Sequence, residues 1–185
     1  MQPGEELYYD EPIQVDDVED ASEVSCGSSH TCALIKDGTI KCWGSNSYGE
    51  LGSDSNSNPD EAMEVEGIED AVQISAGTNY TCAALENGKA YCWGDGTSGV
   101  LGIGYSFDTS DPEKVLGLTD VTMIVAGKYK NTCAIDDGDI YCWGYIMVLN
   151  GENLGYEHEG YELGDYDYGI AYEDGPTEKV DFDWQ

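Results

Sequence analysis

The residues with the most distinctive chemistry in this chain are its seven cysteines, because six of them form evenly placed pairs. The pairs are Cys32 with Cys42, Cys82 with Cys92, and Cys133 with Cys142. Two such thiols could form a disulfide or contribute to a metal site. Zinc sites use close-spaced ligand pairs, which intervals of nine or ten residues do not match. Disulfides are therefore favoured over metal binding.

Each cysteine pair flanks a segment that is typical of a β-hairpin. The first two segments have midpoints at Asp37 and Asn87, which predicts three-residue turns ending in glycine. The third segment is one residue shorter and its turn contracts to Asp137-Gly138, a type I′ pattern. Opposed residues of an antiparallel pair have Cα atoms about 4.5 to 5.5 Å apart, within disulfide range. We therefore predict three cross-strand disulfides.

The seventh cysteine, Cys26, stands where the other two segments have Ala76 and Ala126. Small residues at all three positions indicate a tight site, so we expect Cys26 to be a buried free thiol. A bridge between molecules is the alternative. Because disulfides persist in oxidising environments, we predict an extracellular or cell-surface location, with the periplasm as another possibility.

The cysteine pairs mark a repeat of 50 or 51 residues. A short strand precedes each hairpin, and a proline-led strand, at Pro12, Pro59 and Pro112, precedes that. A fourth copy of the proline-led strand starts at Pro176. We divide the chain into an acidic extension at 1–11, repeats at 12–58, 59–111 and 112–175, and a closing strand at 176–185. No long helical periodicity is present, so we expect an all-β fold of short antiparallel strands.

The recurring sequences resemble the regulator of chromosome condensation repeat. They are HTCALIKDGTIKCWG from His30 and YTCAALENGKAYCWG from Tyr80, each followed by a Gly-x-Leu-Gly turn. The resemblance covers about residues 12 to 155 and implies four-stranded propeller blades around a central axis. The doubled cysteine is similar to the variant found in exported bacterial members of the family.

The resemblance assigns structural roles to two sets of residues. Tryptophans after the second hairpin strand are expected to wedge between blades; they are Trp43, Trp93 and Trp143. Turn glycines are expected to permit close backbone approach; they are Gly49, Gly52, Gly99 and Gly102. His30 stands where the family often has histidine, and without catalytic partners we expect it to make a structural hydrogen bond.

Three blades are fewer than the roughly four to eight of closed propellers. Either the chain is part of a longer product, or other copies complete an open arc. Because a proline-led strand occurs near both ends, at Pro12 and Pro176, we expect copies to exchange strands. Such exchange would produce a ring or a head-to-tail fibre.

The least repeat-like stretch, 145–175, alternates tyrosines with acidic residues and glycines. Tyrosine gives large contact area at small entropic cost, so this stretch is a candidate loop for binding protein or sugar. A cap over an exposed blade face is the alternative. The candidate binding residues are Tyr156, Tyr161, Tyr166, Tyr168 and Tyr172.

The charge balance limits the expected partners. The chain has 38 acidic and 7 basic residues, for a formal net charge of −31. Without arginine or a basic run, we expect no nucleic-acid partner, and no stretch is apolar enough for a membrane span. Calcium is expected at most as an accessory ligand, and no other cofactor is expected. Its candidate ligands are Asp54, Asp60, Glu61, Asp165, Asp167, Glu173 and Asp174.

No set of nucleophile, base and orienting residue recurs in the repeats, so we do not expect an enzyme. The expected function is a non-enzymatic extracellular module for protein binding or self-assembly. One alternative is guanine-nucleotide exchange on a small GTPase, the activity of the family's nuclear members. Another is a carbohydrate-binding protein or a carboxylate-dependent hydrolase, although no acidic pair stands in an apolar setting.

Overall fold

The structure is a computed structural model that describes residues 10–53, 61–147 and 170–173. In these ranges the regular elements are β-strands, apart from one 3-10 turn at Thr97–Gly99. The all-β prediction is confirmed. Among the described residues, no helix is long and apolar enough to cross a membrane.

The strands form three antiparallel four-stranded sheets in which neighbours in sequence are neighbours in space. The first sheet contains β1 (Ala21–Cys26), β2 (His30–Ile35), β3 (Ile40–Gly44) and β4 (Met63–Glu64). The second contains β5 (Ala71–Ala76), β6 (Tyr80–Leu85), β7 (Ala90–Gly94) and β8 (Thr109–Lys114). The third contains β9 (Val121–Ala126), β10 (Asn131–Asp136), β11 (Asp139–Met147) and β12 (Ile170–Glu173). Each sheet is one propeller-type blade.

The central hairpins have the turns expected from the sequence. In the first hairpin Ile35 N donates to Thr39 O at 2.9 Å, which leaves three residues in the turn. In the third hairpin Asp137 and Gly138 both have positive φ, 49° and 83°, as a type I′ turn requires. Cys32 thus lies opposite Cys42, and the other two pairs are opposed in the same way.

The proline-led strand belongs to the hairpin before it. β8, which contains Pro112, pairs with β7 and completes the second sheet, so the sheets are offset from the sequence repeats. The strand expected at Pro12 is wrong, because 12–15 form no strand. β8 pairs with the strand before it, β7, whereas the described chain has no strand before 12–15 with which that segment could pair. Pro59 and the closing strand 176–185 lie outside the described residues.

The hydrophobic core lies between the sheets. One cluster joins the first and second sheets and includes Leu34, Ile74 and Trp93. The other joins the second and third sheets and includes Ile124 and Trp143. Three sheets make only two such contacts, so one face of the first sheet and one face of the third have no neighbouring sheet in the described chain.

Candidate functional site

The predicted cysteine pairs are disulfides that join the second and third strands of each sheet. They are Cys32–Cys42, Cys82–Cys92 and Cys133–Cys142, each with a Cα–Cα distance of 4.1 Å. A cross-link at the centre of each hairpin fixes its register. The side chains that project toward the adjacent sheets are therefore held in place.

Cys26 is a free thiol, but the expectation that it is buried is wrong, because it is exposed. The equivalent alanines lie against a preceding sheet, whose serines accept hydrogen bonds from Ala76 N and Ala126 N. Cys26 belongs to the first sheet, which has no preceding sheet in the described chain. The alignment identified a small residue correctly, but it could not show that no sheet within the described ranges covers that residue.

A two-donor fork joins the first and second sheets at one carbonyl. Thr81 Oγ1 and Trp93 Nε1 both donate to Glu50 O, at 2.9 and 3.1 Å. Glu50 lies in the Gly-x-Leu-Gly turn of the first repeat, and Trp93 is fully buried. Trp93 therefore lies between neighbouring blades and is bonded there.

The same fork joins the second and third sheets. Thr132 Oγ1 and Trp143 Nε1 donate to Val100 O at 2.8 and 2.9 Å. Trp43, on the first sheet, is only partly buried because no sheet precedes it in the described chain.

Two of the four turn glycines, Gly52 and Gly102, provide the space for these tryptophans. Gly49, Gly52, Gly99 and Gly102 all have positive φ, between 66° and 83°. A Cβ on Gly102 would lie 2.6 Å from Trp143 Nε1, closer than side-chain contacts allow. A Cβ on Gly52 would lie 3.1 Å from Trp93 Nε1. These glycines therefore act structurally.

His30 is buried at the first junction and makes a structural hydrogen bond. Its Nε2 lies 2.9 Å from Thr81 Oγ1. Because the single hydroxyl proton of Thr81 goes to Glu50 O, His30 Nε2 must be the donor. Among the residues that the structure describes, the unprotonated Nδ1 then has no hydrogen-bond partner. Burial lowers the pKa of His30, although the Glu50 charge opposes this shift.

Tyr80 occupies the position of His30 at the second junction. Its hydroxyl lies 3.0 Å from Thr132 Oγ1 and accepts a hydrogen bond from Gly127 N at 2.8 Å. Burial raises the pKa of Tyr80 to about 12, so it stays protonated. A histidine and a tyrosine thus fulfil the same bridging role, which argues against a catalytic function for either.

A second set of polar side chains, not singled out from the sequence, connects the first strands of adjacent sheets. Ser25 Oγ accepts from Ala76 N, and Ser75 Oγ accepts from Ala126 N, both at 2.9 Å. Glu23 and Gln73 accept in the same way from Ile74 N and Ile124 N. These side chains could have been identified from the sequence, because they recur at matching repeat positions, as EVS in the first repeat and QIS in the second.

An open cleft of about 440 Å³ lies beside the first Gly-x-Leu-Gly turn. Among the described residues, its lining is mostly hydroxyl and amide groups, with Asp108 as the one carboxylate. Asp108 Oδ1 accepts a hydrogen bond from Gly96 N at 3.0 Å.

The remaining candidates fall mainly beyond the described ranges. Most of the proposed tyrosine binding loop and most of the calcium ligands lie there, namely Tyr156, Tyr161, Tyr166, Tyr168, Asp54, Asp60, Asp165, Asp167 and Asp174. Tyr172 and Glu173 form part of β12, whose backbone pairs with β11. Among the described residues, no group of three histidine, cysteine or acidic side chains could hold a metal ion. The binding-loop and calcium assignments therefore stay predictions.

Known structures share this fold. Human WBSCR16 is 26% identical and aligns with a TM-score of 0.59 over 67% of this chain. Yeast RCC1 (Prp20), solved bound to Kap60, is 21% identical with a TM-score of 0.60 over 69% of this chain. Prp20p from Saccharomyces cerevisiae, described with its binding to Gsp1p and histones, is 19% identical with a TM-score of 0.59 over 69% of this chain.

This chain spans about a third of the length of these structures, 33%, 33% and 34% respectively. Two sequence profiles, each described as the Regulator of chromosome condensation (RCC1) repeat, match within it. One matches residues 21–50 and 71–100, and the other residues 37–84 and 87–134. Since the second covers more than half of the 185 residues, the chain belongs to the regulator of chromosome condensation (RCC1) repeat family.

Proposed function

We propose that this chain is a non-enzymatic protein-binding module that works outside the cytosol, in the extracellular space, at the cell surface or in the periplasm. The observation that carries this proposal is how the repeat uses its polar side chains. Thr81, Trp93 and His30 bond across the first junction, and their counterparts do so across the second. Residues that could do chemistry thus hold blades together.

The disulfides support the proposed compartment. Glutathione and thioredoxin keep thiols reduced in the cytosol, whereas disulfides persist in exported proteins. Three disulfides in one short chain, one in each sheet, favour folding in an oxidising environment.

Membership of the repeat family makes guanine-nucleotide exchange on a small GTPase the second candidate. Prp20p is described as binding Gsp1p, but at 19% identity the likeness concerns the fold alone. The present chain carries disulfides, which disfavours a cytosolic or nuclear regulator. Protein binding is the property we extend to this chain.

An activity screen on the disulfide-intact chain tests the proposal. Labelled GDP release from small GTPases and the release of reducing ends from polysaccharides would be measured on one preparation. We expect neither rate to exceed that of the blank. Turnover of polysaccharide that disappears when one acidic residue is changed, or accelerated GDP release, would replace the binding module with an enzyme or an exchange factor.

A further inference from the structure

The third sheet has a face made of two apolar rows that no other sheet covers in the described chain. One row contains Met123, Ile135 and Ile140, and the other contains Val125, Cys133 and Cys142. We call these six residues the third-sheet face. In the first sheet the matching hairpin residues, Leu34, Ile40, Cys32 and Cys42, are buried against the second sheet.

The composition of the third-sheet face differs from its two counterparts at the first strand. Met123 stands at the position of Glu23 and Gln73, and Val125 at the position of Ser25 and Ser75. Met123 and Val125 are 47% and 50% exposed. Replacing polar by apolar side chains at half-exposed positions is unfavourable in water, and contiguous apolar patches mark interaction sites. The third-sheet face therefore has the properties of an interaction site.

The first sheet has the complementary kind of face. We call Val24, Cys26 and Trp43 the first-sheet face. Val24 is 63% exposed, whereas its counterparts Ile74 and Ile124, which pack on a preceding sheet, are 1% and 0% exposed. The first-sheet face thus carries the residue types that make the blade-to-blade contact elsewhere in the chain.

We propose that these two faces bind each other between copies, the third-sheet face of one chain packing against the first-sheet face of a second. This inference rests on the proposed function and names its protein partner. Both kinds of face already meet twice within one chain, at the two core clusters. The contact is head-to-tail, and the described residues of two copies contribute six sheets, within the roughly four to eight of closed propellers.

The contact uses sheet faces and needs no strand exchange. β12 already pairs with Gly144–Met147 on the outer edge of the third sheet, and 12–15 form no strand that could be donated. Inside the chain, Glu23 and Ser25 accept hydrogen bonds from Ile74 N and Ala76 N. Between copies, the matching amides of Val24 and Cys26 would face Met123 and Val125, which have no such acceptors. Apolar packing must therefore drive the association.

Charge sets the conditions for this contact. Each copy has a formal net charge of −31, so two copies repel each other at low ionic strength. Salt screens that repulsion without weakening apolar packing. We expect association to strengthen as salt is added, the opposite of a contact held by ion pairs.

Sedimentation velocity on three lysine variants tests the proposal. V24K alters the first-sheet face and V125K the third-sheet face, while V72K alters a valine of similar exposure, 51%, on the middle sheet. Lysine lowers the net negative charge, so a loss of association cannot come from added repulsion. We expect V24K and V125K alone to be monomers, and wild type and V72K to associate.

The mixture of V24K and V125K decides the geometry. Each variant keeps the face that the other has lost, so a head-to-tail contact predicts a one-to-one heterodimer. A monomeric wild type at the highest soluble concentration, association of either single variant, or a mixture that stays monomeric would overturn the proposal.

Cys26 provides an independent readout, because the contact would cover it as a preceding sheet covers Ala126. Its alkylation should slow as wild-type concentration rises and should not slow in V125K; equal rates in both would contradict the proposal. Three intact disulfides in each variant would verify folding. If V24K and V125K behaved like wild type, self-association through these faces would be excluded, but binding to another protein would not. Turnover in the activity screen would exclude the non-enzymatic binding module itself.

Discussion

Trp93 and Glu50 lie in different blades, and the indole Nε1 of Trp93 donates to the backbone carbonyl of Glu50 at 3.1 Å. Trp143 makes the same bond to Val100 O at 2.9 Å. The acceptor residue is acidic in one case and aliphatic in the other, so the geometry of the turn and not its side chain determines the contact. Blade-to-blade packing in this chain is therefore centred on a tryptophan and a carbonyl.

Replacing Trp93 by phenylalanine should destabilise the chain. The variant loses a buried hydrogen bond and leaves unfilled space, at a cost of about 2 kcal/mol in the free energy of unfolding. W43F is the matched control and should cost clearly less, because Trp43 is only partly buried. Thermal unfolding of the two variants measures the difference, and equal losses would contradict the fork's importance.

Gly102 should tolerate alanine less well than Gly67. Both glycines have positive φ, 69° and 78°, so alanine meets similar backbone strain of about 1 kcal/mol at each. The added Cβ at Gly102 also approaches Trp143 Nε1, whereas at Gly67 no atom of the described residues lies within 4 Å of it. Urea unfolding of G102A and G67A separates strain from overlap, and similar midpoints would argue against a close tryptophan contact.

Removing one disulfide should cost roughly 2 to 3 kcal/mol, because a short loop is freed in the unfolded chain. The double variant C82A/C92A removes the cross-link of the middle sheet, whose cysteines are fully buried. C26A installs the residue found at Ala76 and Ala126 and should leave the melting temperature unchanged. A melting temperature for C82A/C92A equal to that of C26A would contradict a stabilising role for the disulfide.

Acid should weaken the first junction through His30. Burial lowers the pKa of His30 below its ordinary value of 6.5, so the unfolded chain takes up the proton first. The contribution of neutral His30 is fully present above about pH 6.5 and is lost as the pH falls toward the folded pKa. H30Q, which keeps a donor for Thr81 but does not titrate, should lose less stability between about pH 7 and about pH 5.5.

The control for this experiment is H158Q, because His158 is the only other histidine. It should show the wild-type pH dependence of unfolding in urea. If H30Q and wild type lose stability equally over that interval, His30 is not the group that responds.

The hairpins and their disulfides could be predicted from sequence because both follow from local spacing. The equal distances from Cys32 and Cys42 to Asp37 fix the turn and the opposition together. The side on which a strand pairs is different, because the segment at Pro112 has the same residue pattern whichever hairpin it joins. Its place beside β7 depends on the path of the chain after Gly94.

The inter-blade bonds could not be predicted because they join residues that are far apart in sequence, 31 positions for Thr81 and Glu50 and 51 for Ser75 and Ala126, across packed sheets. Ser75 and Thr81 are ordinary strand residues in the sequence, and only the structure shows what they bond. The exposure of Cys26 was missed for a related reason. A repeat alignment treats all copies as equivalent, whereas in the described part of the chain the first and last sheets each have one neighbouring sheet and the middle sheet has two.

The central claim is that one disulfide cross-links each blade of an exported module. A free-thiol count on denatured, unreduced protein tests this claim most directly. The protein should be isolated from its native source with thiols blocked at lysis. One reactive thiol per chain, assigned to Cys26, is expected. Seven reactive thiols would show that all three pairs are reduced in the living cell, and would contradict both the stapled blades and the location outside the cytosol.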